Sequence, residues 1–341
     1  MAQDLGNLFQ ENFKLCEIGR GQTVAVLSEQ GELQDYASAS LQVASALGAK
    51  VVDVCVPSQG STSAAERMHN IGKNSLQDYP ELLDVCCNVD IVIDHMLLLF
   101  SKEQIAMQRA GARVLLVVEP PEILERLLPN KGLRSRVEAG ERLLGNAGQL
   151  RVSNQIGTDV TFELGHKAIL TEYGYTADPG RWDHWPGGFL ATLAREGGVN
   201  GRVVMDVGDI IYPLKIFVRS PIEFVIQNSI VLEINGGEDA RLLEKFIEKY
   251  DDQRAKAVSH IGWGLNPACE WSVDHPGIGM DGRACYGNVL FSLGPDTEFG
   301  GDNDTACHLD LPMRNCTLML DGIAIVDEGR VLPKDMRFPT A

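Results

Sequence analysis

Four short apolar runs in the first third of the chain constrain its fold more than any other feature. Residues 23–27, 51–56, 90–94 and 113–118 are rich in Val, Ile and Leu without strict alternation, the pattern of strands covered on both faces. Between the first two runs, apolar residues recur at Leu33, Tyr36, Ala37, Leu41, Ala44 and Leu47. That spacing is helical, and Gly48 closes the helix as a C-terminal glycine does. Strands of this kind alternating with helices predict an N-terminal doubly wound α/β domain with a parallel sheet. No Gly-x-Gly-x-x-Gly follows the first strand, so a dinucleotide site is not indicated.

The pattern changes after a helix expected over residues 134–144. Gly145-Asn146-Ala147-Gly148 reads as a linker, which divides the chain into an α/β domain, 1–147, and a second domain, 148–341. In the second domain Val160, Phe162 and Leu164 alternate, and further strands are expected at 203–207, 216–218, 224–226, 230–234 and 289–293. Leu242, Leu243, Phe246, Ile247 and Tyr250 mark a helix over 239–250. Asp321-Gly322 between two apolar runs is a hairpin signal. The second domain is therefore β-rich and of α+β type.

Composition excludes several functions. A net charge of -17 argues against a nucleic-acid partner, which needs a basic footprint. No apolar run reaches the roughly 18 residues that cross a bilayer, and Met1-Ala2-Gln3-Asp4 opens no secretory signal. Eight scattered cysteines contain no Cys-x-x-Cys pair, so reduced thiols in a cytoplasmic setting are expected.

Chemistry concentrates in residues 300–310, which end His308-Leu309-Asp310. Residues i and i+2 of an extended segment point to one side, so an imidazole and a carboxylate can share a target. They are two thirds of the 2-His-1-carboxylate face that leaves positions open on non-haem Fe(II). The third donor is sought in Ser259-His260-Ile261-Gly262-Trp263-Gly264-Leu265-Asn266-Pro267, with His260 the first candidate and His275, near Glu270, the alternative. A surface His beside a solvated Asp is the plainer reading of the motif alone. His95 directly follows an apolar strand, where ligands of open α/β sheets gather; it is either a loop histidine or a group that deprotonates or hydrogen-bonds a substrate held between the domains. His69 and His166 are assigned no role.

Four stretches together resemble the thermophilic metalloaminopeptidases, the leucyl aminopeptidase T family: Gly157-Thr158-Asp159; Trp185-Pro186-Gly187-Gly188 with Gly197-Gly198-Val199-Asn200-Gly201; Ile261-Gly262 to Asn266-Pro267; and Gly301 to Asp310. The departures carry more. Where that family's pattern places two metal-binding Glu residues and a His, this chain has Phe189, His260 and Leu290. Hydrolysis by two bridged metals needs those carboxylates. The remaining set, His260, His308 and Asp310, resembles the 2,5-dihydroxypyridine 5,6-dioxygenase family, which shares the scaffold. The resemblance implies Fe(2+), O2 and opening of 2,5-dihydroxypyridine to N-formylmaleamate in nicotinate catabolism. A metalloaminopeptidase is the alternative.

With that substrate, other groups must orient the ring. His95 is the candidate base, Arg283 a partner for developing negative oxygen or a structural ion pair, and Ser292 a hydrogen-bond donor to substrate or bound oxygen. Glu172 and His184 flank a segment rich in Tyr173, Tyr175, Trp182 and Trp185, expected either to line the site's mouth by stacking or to pack as an inter-domain lid. A homo-oligomer is expected.

Overall fold

The computed structural model of the chain describes residues 5–58 and 64–338. Two compact units emerge, each assembled from separate stretches of sequence. One comprises Met1–Asn130, Glu172–Gly187 and Pro276–Ile278; the other comprises Lys131–Thr171, Gly188–His275 and Gly279–Ala341.

In chain order the first unit runs α1 (Leu5–Leu15), β1 (Thr23–Glu29), α2 (Gln34–Ala46), β2 (Lys50–Val56), α3 (Ala64–Arg67), α4 (Pro80–Cys87), β3 (Ile91–Asp94), α5 (Lys102–Arg109), β4 (Arg113–Leu116) and α6 (Pro121–Arg126). The chain then forms α7 (Lys131–Gly145), β5 (Gln149–Ser153) and β6 (Asp159–Glu172), and returns to the first unit with β7 (Trp182–His184). The first unit's sheet has the order β2-β1-β3-β4-β7, parallel throughout. Every residue of β3 and β4 is buried, which explains their unbroken apolar runs. The charged ends of these strands are accommodated by the backbone. Asp94 accepts the N–H groups of Met96 and Leu98 at 2.7 and 2.9 Å, and Arg113 donates to the carbonyl of Thr176 at 2.9 Å. The helix after β1 ends as its glycine predicts: Gly48 has φ 94 and its N–H reaches the Ser45 carbonyl at 2.9 Å.

The sequence boundary at 147/148 is not the division observed. The first unit's leading segment ends at Asn130, and α7 belongs to the second unit, where Gly140 lies against Leu190 and Met336. Helical periodicity identifies a buried face but not the partner that buries it. The segment 172–186 returns to the first unit. It contains β7, whose Trp182, Asp183 and His184 pair with Val114, Leu115 and Leu116. Three residues are too few to carry a recognisable period.

The second unit continues with β8 (Phe189–Met205), β9 (Ile210–Ile211), β10 (Ile216–Phe217), β11 (Ile222–Gln227), β12 (Ile230–Gly236), α8 (Glu238–Glu248), β13 (Val258–Gly264), α9 (Met280–Ala284), β14 (Val289–Leu293), β15 (Leu309–Met313), β16 (Thr317–Leu320), β17 (Ile323–Asp327) and β18 (Arg330–Val331). Its main sheet has the order β15-β14-β13-β8-β6-β5-β16-β17-β18, with β11 joining β8 to β12. The hairpin at Asp321-Gly322 forms as expected, with positive φ at both residues (47 and 81), the requirement of a two-residue type I′ turn. Glycine is required in β13: a Cβ on Gly262 would stand 1.9 Å from the Leu190 carbonyl oxygen, and one on Gly264 2.2 Å from that of Cys285. All eight cysteines are free. Among the described residues no helix is long and apolar enough to cross a membrane.

Candidate active site

Three neighbouring strands of the second unit bring the chemistry together. In β13 the register against β14 shifts between Val258 and Ile261, which pair with Leu293 and Phe291. Ser259 and His260 therefore oppose the single residue Ser292. This is a β-bulge, a device that re-aims side chains beside functional sites. Ser292 in turn pairs with Asp310 of β15. The bulged pair, Ser292 and Asp310 form one row across the sheet. Asp310 is also bridged on its far side by Tyr212, each residue's N–H meeting the other's carbonyl at 2.9 and 3.2 Å.

His308 precedes β15 and meets Asp310 as the i, i+2 spacing requires: Nε2 lies 3.2 Å from Asp310 Oδ1. His260 Nε2 lies 3.4 Å from the same oxygen. Among the described residues His260, His308 and Asp310 form the one group whose ligand atoms converge in this way, all within 4.8 Å of one another and all buried. The Phe299 ring stacks on His260 at 5.0 Å and 26°.

Electrostatics suit Asp310 and His260 to a cation. Burial alone would raise the Asp310 pKa, but His308 and Arg283 beside it hold it well below the usual carboxylate range. Burial pushes His260 down, against the pull of Asp310, so its imidazole tends to be neutral. Neutral imidazole and ionised carboxylate are the forms that ligate metals. The two imidazole nitrogens stand 3.2 and 3.4 Å from Asp310 Oδ1, near enough for one cation to meet all three donors.

Arg283 and Ser292 are both spent on Asp310. Arg283, on α9, donates from Nε to Oδ2 at 2.5 Å, and its guanidinium lies 4.4 Å over the Tyr212 ring. Ser292 donates to Oδ1 at 2.6 Å. Of the two readings of Arg283, the ion pair is the one observed, and the Ser292 hydroxyl is directed to a carboxylate. Sequence inspection missed Tyr212, Ser259 and Phe299. The bulge and the bridge that place the first two arise from pairing between distant segments and leave no local periodicity.

The remaining candidates belong to the first unit. His95 is fully buried; Nδ1 donates to the Val117 carbonyl at 2.7 Å and Nε2 lies 3.0 Å from Ser40 Oγ. Burial lowers its pKa to about 4. Nδ1 must carry the proton that meets a carbonyl, so Nε2 accepts from Ser40. Glu172 and His184 are both buried, with Oε2 and Nδ1 3.9 Å apart. The neighbouring Asp183 carboxylate accepts the N–H groups of Tyr173, Gly174 and His184. Tyr173, Tyr175, Trp182 and Trp185 are at most 4% exposed, so they do not line a solvent-open mouth. His275, the alternative donor, instead pairs with Glu270 at 2.8 Å and lies outside the converging group. The His166 side chain lies outside the described residues.

A family model described as 2,5-dihydroxypyridine 5,6-dioxygenase matches residues 4–333. The chain is 40% identical over 341 residues to the 2,5-dihydroxypyridine 5,6-dioxygenase of Pseudomonas putida (strain KT2440), covering 98% of this chain and 97% of that protein. The solved structure of the 2,5-dihydroxypyridine dioxygenase from Pseudomonas putida KT2440 matches with a TM-score of 0.94 at 39% identity, covering 99% of each chain. Wild-type AmpT from Thermus thermophilus matches with a TM-score of 0.61 at 11% identity, over 97% of this chain and 99% of that one, a likeness of fold alone.

Proposed function

Since the chain belongs to the 2,5-dihydroxypyridine 5,6-dioxygenase family, we propose that it opens the ring of 2,5-dihydroxypyridine with O2 to give N-formylmaleamate, at a ferrous ion held by His260, His308 and Asp310. The observation that carries this reading is the convergence of those three buried donors on one point. Bound there, Fe(II) supplies open coordination positions and the electrons that make O2 reactive towards an organic ring.

The protein's own groups have defined tasks. Asp310 offers Oδ1 while Arg283 occupies Oδ2, so the carboxylate presents one oxygen and stays ionised. Ser292 fixes the rotation of that carboxylate through Oδ1. The hydroxyls of the substrate are not adjacent on the ring, so the substrate cannot chelate as a catechol does and must be oriented by protein groups. His95, neutral with a lone pair at Nε2, has the form of a general base, its Nε2 occupied by the Ser40 hydroxyl. Glu172 and His184 place a buried carboxylate and imidazole 3.9 Å apart, beyond direct hydrogen-bond reach. The aminopeptidase reading is weaker: Phe189 and Leu290, buried and apolar, stand where that chemistry requires a carboxylate and an imidazole.

The test is oxygen uptake. Protein purified without oxygen is loaded with Fe(II) and mixed with 2,5-dihydroxypyridine, and O2 is followed beside the pyridine's ultraviolet band. The expected result is one O2 consumed per ring opened, with Fe(II) required. Iron bound at one per chain without uptake would keep the metal centre and reject the substrate. Neither iron nor uptake would reject both.

A further inference from the structure

We propose that Ser259 is a positioning residue that fixes the tautomer of His260, so that Nε2 is the nitrogen free to ligate. The inference rests on the reading of His260 as a metal ligand, and it follows from a count of protons. Ser259 Oγ is hydrogen-bonded to two groups: it donates to the Pro295 carbonyl oxygen and lies 2.9 Å from His260 Nδ1. A carbonyl only accepts, and a serine hydroxyl has one proton. That proton is committed to Pro295, so towards His260 the oxygen acts as the acceptor. Nδ1 must then carry a proton and donate it. In a neutral imidazole this leaves a lone pair on Nε2.

That lone pair faces Asp310 Oδ1 at 3.4 Å. Two acceptors opposed at this distance repel unless a cation lies near both. The hydroxyl thus prepares the ring for a cation in advance, as outer partners of ligating histidines do. The arrangement depends on the bulge in β13. In a regular strand adjacent side chains point to opposite faces, and Ser259 would be carried away from its neighbour's ring. Ser259 is 3% exposed and His260 4%, so water does not compete easily for Nδ1. Phe299 stacked on the imidazole fixes the plane of the ring, and Ser259 fixes which nitrogen is bare.

The experiment uses the full-length protein in two states. In metal-free protein with nitrogen-15 in its histidines, NMR reports which nitrogen of His260 is protonated, with His260→Gln identifying the signals. In anaerobic protein, competition against a chelator gives the Fe(II) dissociation constant. The native protein is expected to hold His260 as the Nδ1–H form. Ser259→Ala should give mixed tautomers and weaken Fe(II) binding roughly 10- to 100-fold, the range found for outer partners of metal ligands. Ser259→Thr, which keeps a hydroxyl, should restore both. Should Ser259→Ala fail to fold, Ser259→Cys keeps the volume with a poor acceptor and serves for the same comparison. A native His260 protonated on Nε2, or a Ser259→Ala protein with unchanged tautomer and iron affinity, would overturn the proposal. A native protein that binds no Fe(II) would reject the metal reading, while the NMR result alone would still decide the role of Ser259.

Discussion

At the scale of single residues, the converging donors make the sharpest predictions. Alanine at His260, His308 or Asp310 is expected to abolish iron retention, measured as iron per chain, whereas His275→Ala should keep it. The opposite pattern at His260 and His275 would move the third ligand to His275. His95 gives a prediction in stability. Unfolded, it takes a proton near 6.5, but folded it resists down to about 4. Between these values the unfolded state holds more protons, so lowering the pH through this window costs stability, by roughly 3 kcal/mol at most. Asp94 and Asp183 act in the opposite sense, because burial raises both to about 6 and the folded state takes up their protons first. The His95 contribution is therefore read as a difference. His95→Gln should lose less stability than the native protein between about pH 6.5 and about pH 4, in urea melts followed by circular dichroism. Parallel profiles would show that His95 does not resist protonation.

At the scale of elements, the site depends on how closely β8, β13 and β14 approach. The Leu190 carbonyl leaves no room for a methyl group on Gly262. Gly262→Ala should cost about 1–3 kcal/mol, as overpacking does, and weaken iron binding by displacing the neighbouring bulge. A chemical melt and an iron titration would check both; an unchanged protein would mean that β8 can retreat at no cost. This scale also separates what the sequence revealed from what it hid. The pair His308 and Asp310 was legible because a period of two is local. The strands of the parallel sheet were legible because coverage on both faces leaves continuous apolar runs. The row Ser259, His260, Ser292 and Asp310 was hidden because its members sit on three strands whose register is set by long-range pairing. Arg283 admitted two readings for the same reason: its partner lies 27 positions away in sequence. The three-residue β7 was hidden because hydrogen bonding to β4, and no pattern of its own, makes it a strand.

At the scale of the molecule, neither unit is a continuous piece of chain. The segment Met1–Asn130 lacks β7, so it would expose the free edge of β4. It would also lack Ile278, whose N–H reaches Glu119 Oε2 at 3.0 Å. Expressed alone, residues 1–130 should be insoluble or show no cooperative melt. A sharp, reversible transition from that fragment would contradict the division described above. In the whole protein, Fe(II) is expected to raise the melting temperature in proportion to the logarithm of its free concentration above the dissociation constant, and a chelator should reverse the gain. The interleaving of the two units has a further consequence during synthesis. A ribosome delivers β4 well before β7, and Ile278 later still. Through that interval the nascent parallel sheet carries an unpaired edge, the kind of surface that draws other strands into aggregates. Yield in a heterologous host should therefore depend on translation speed and chaperone supply across residues 131–187.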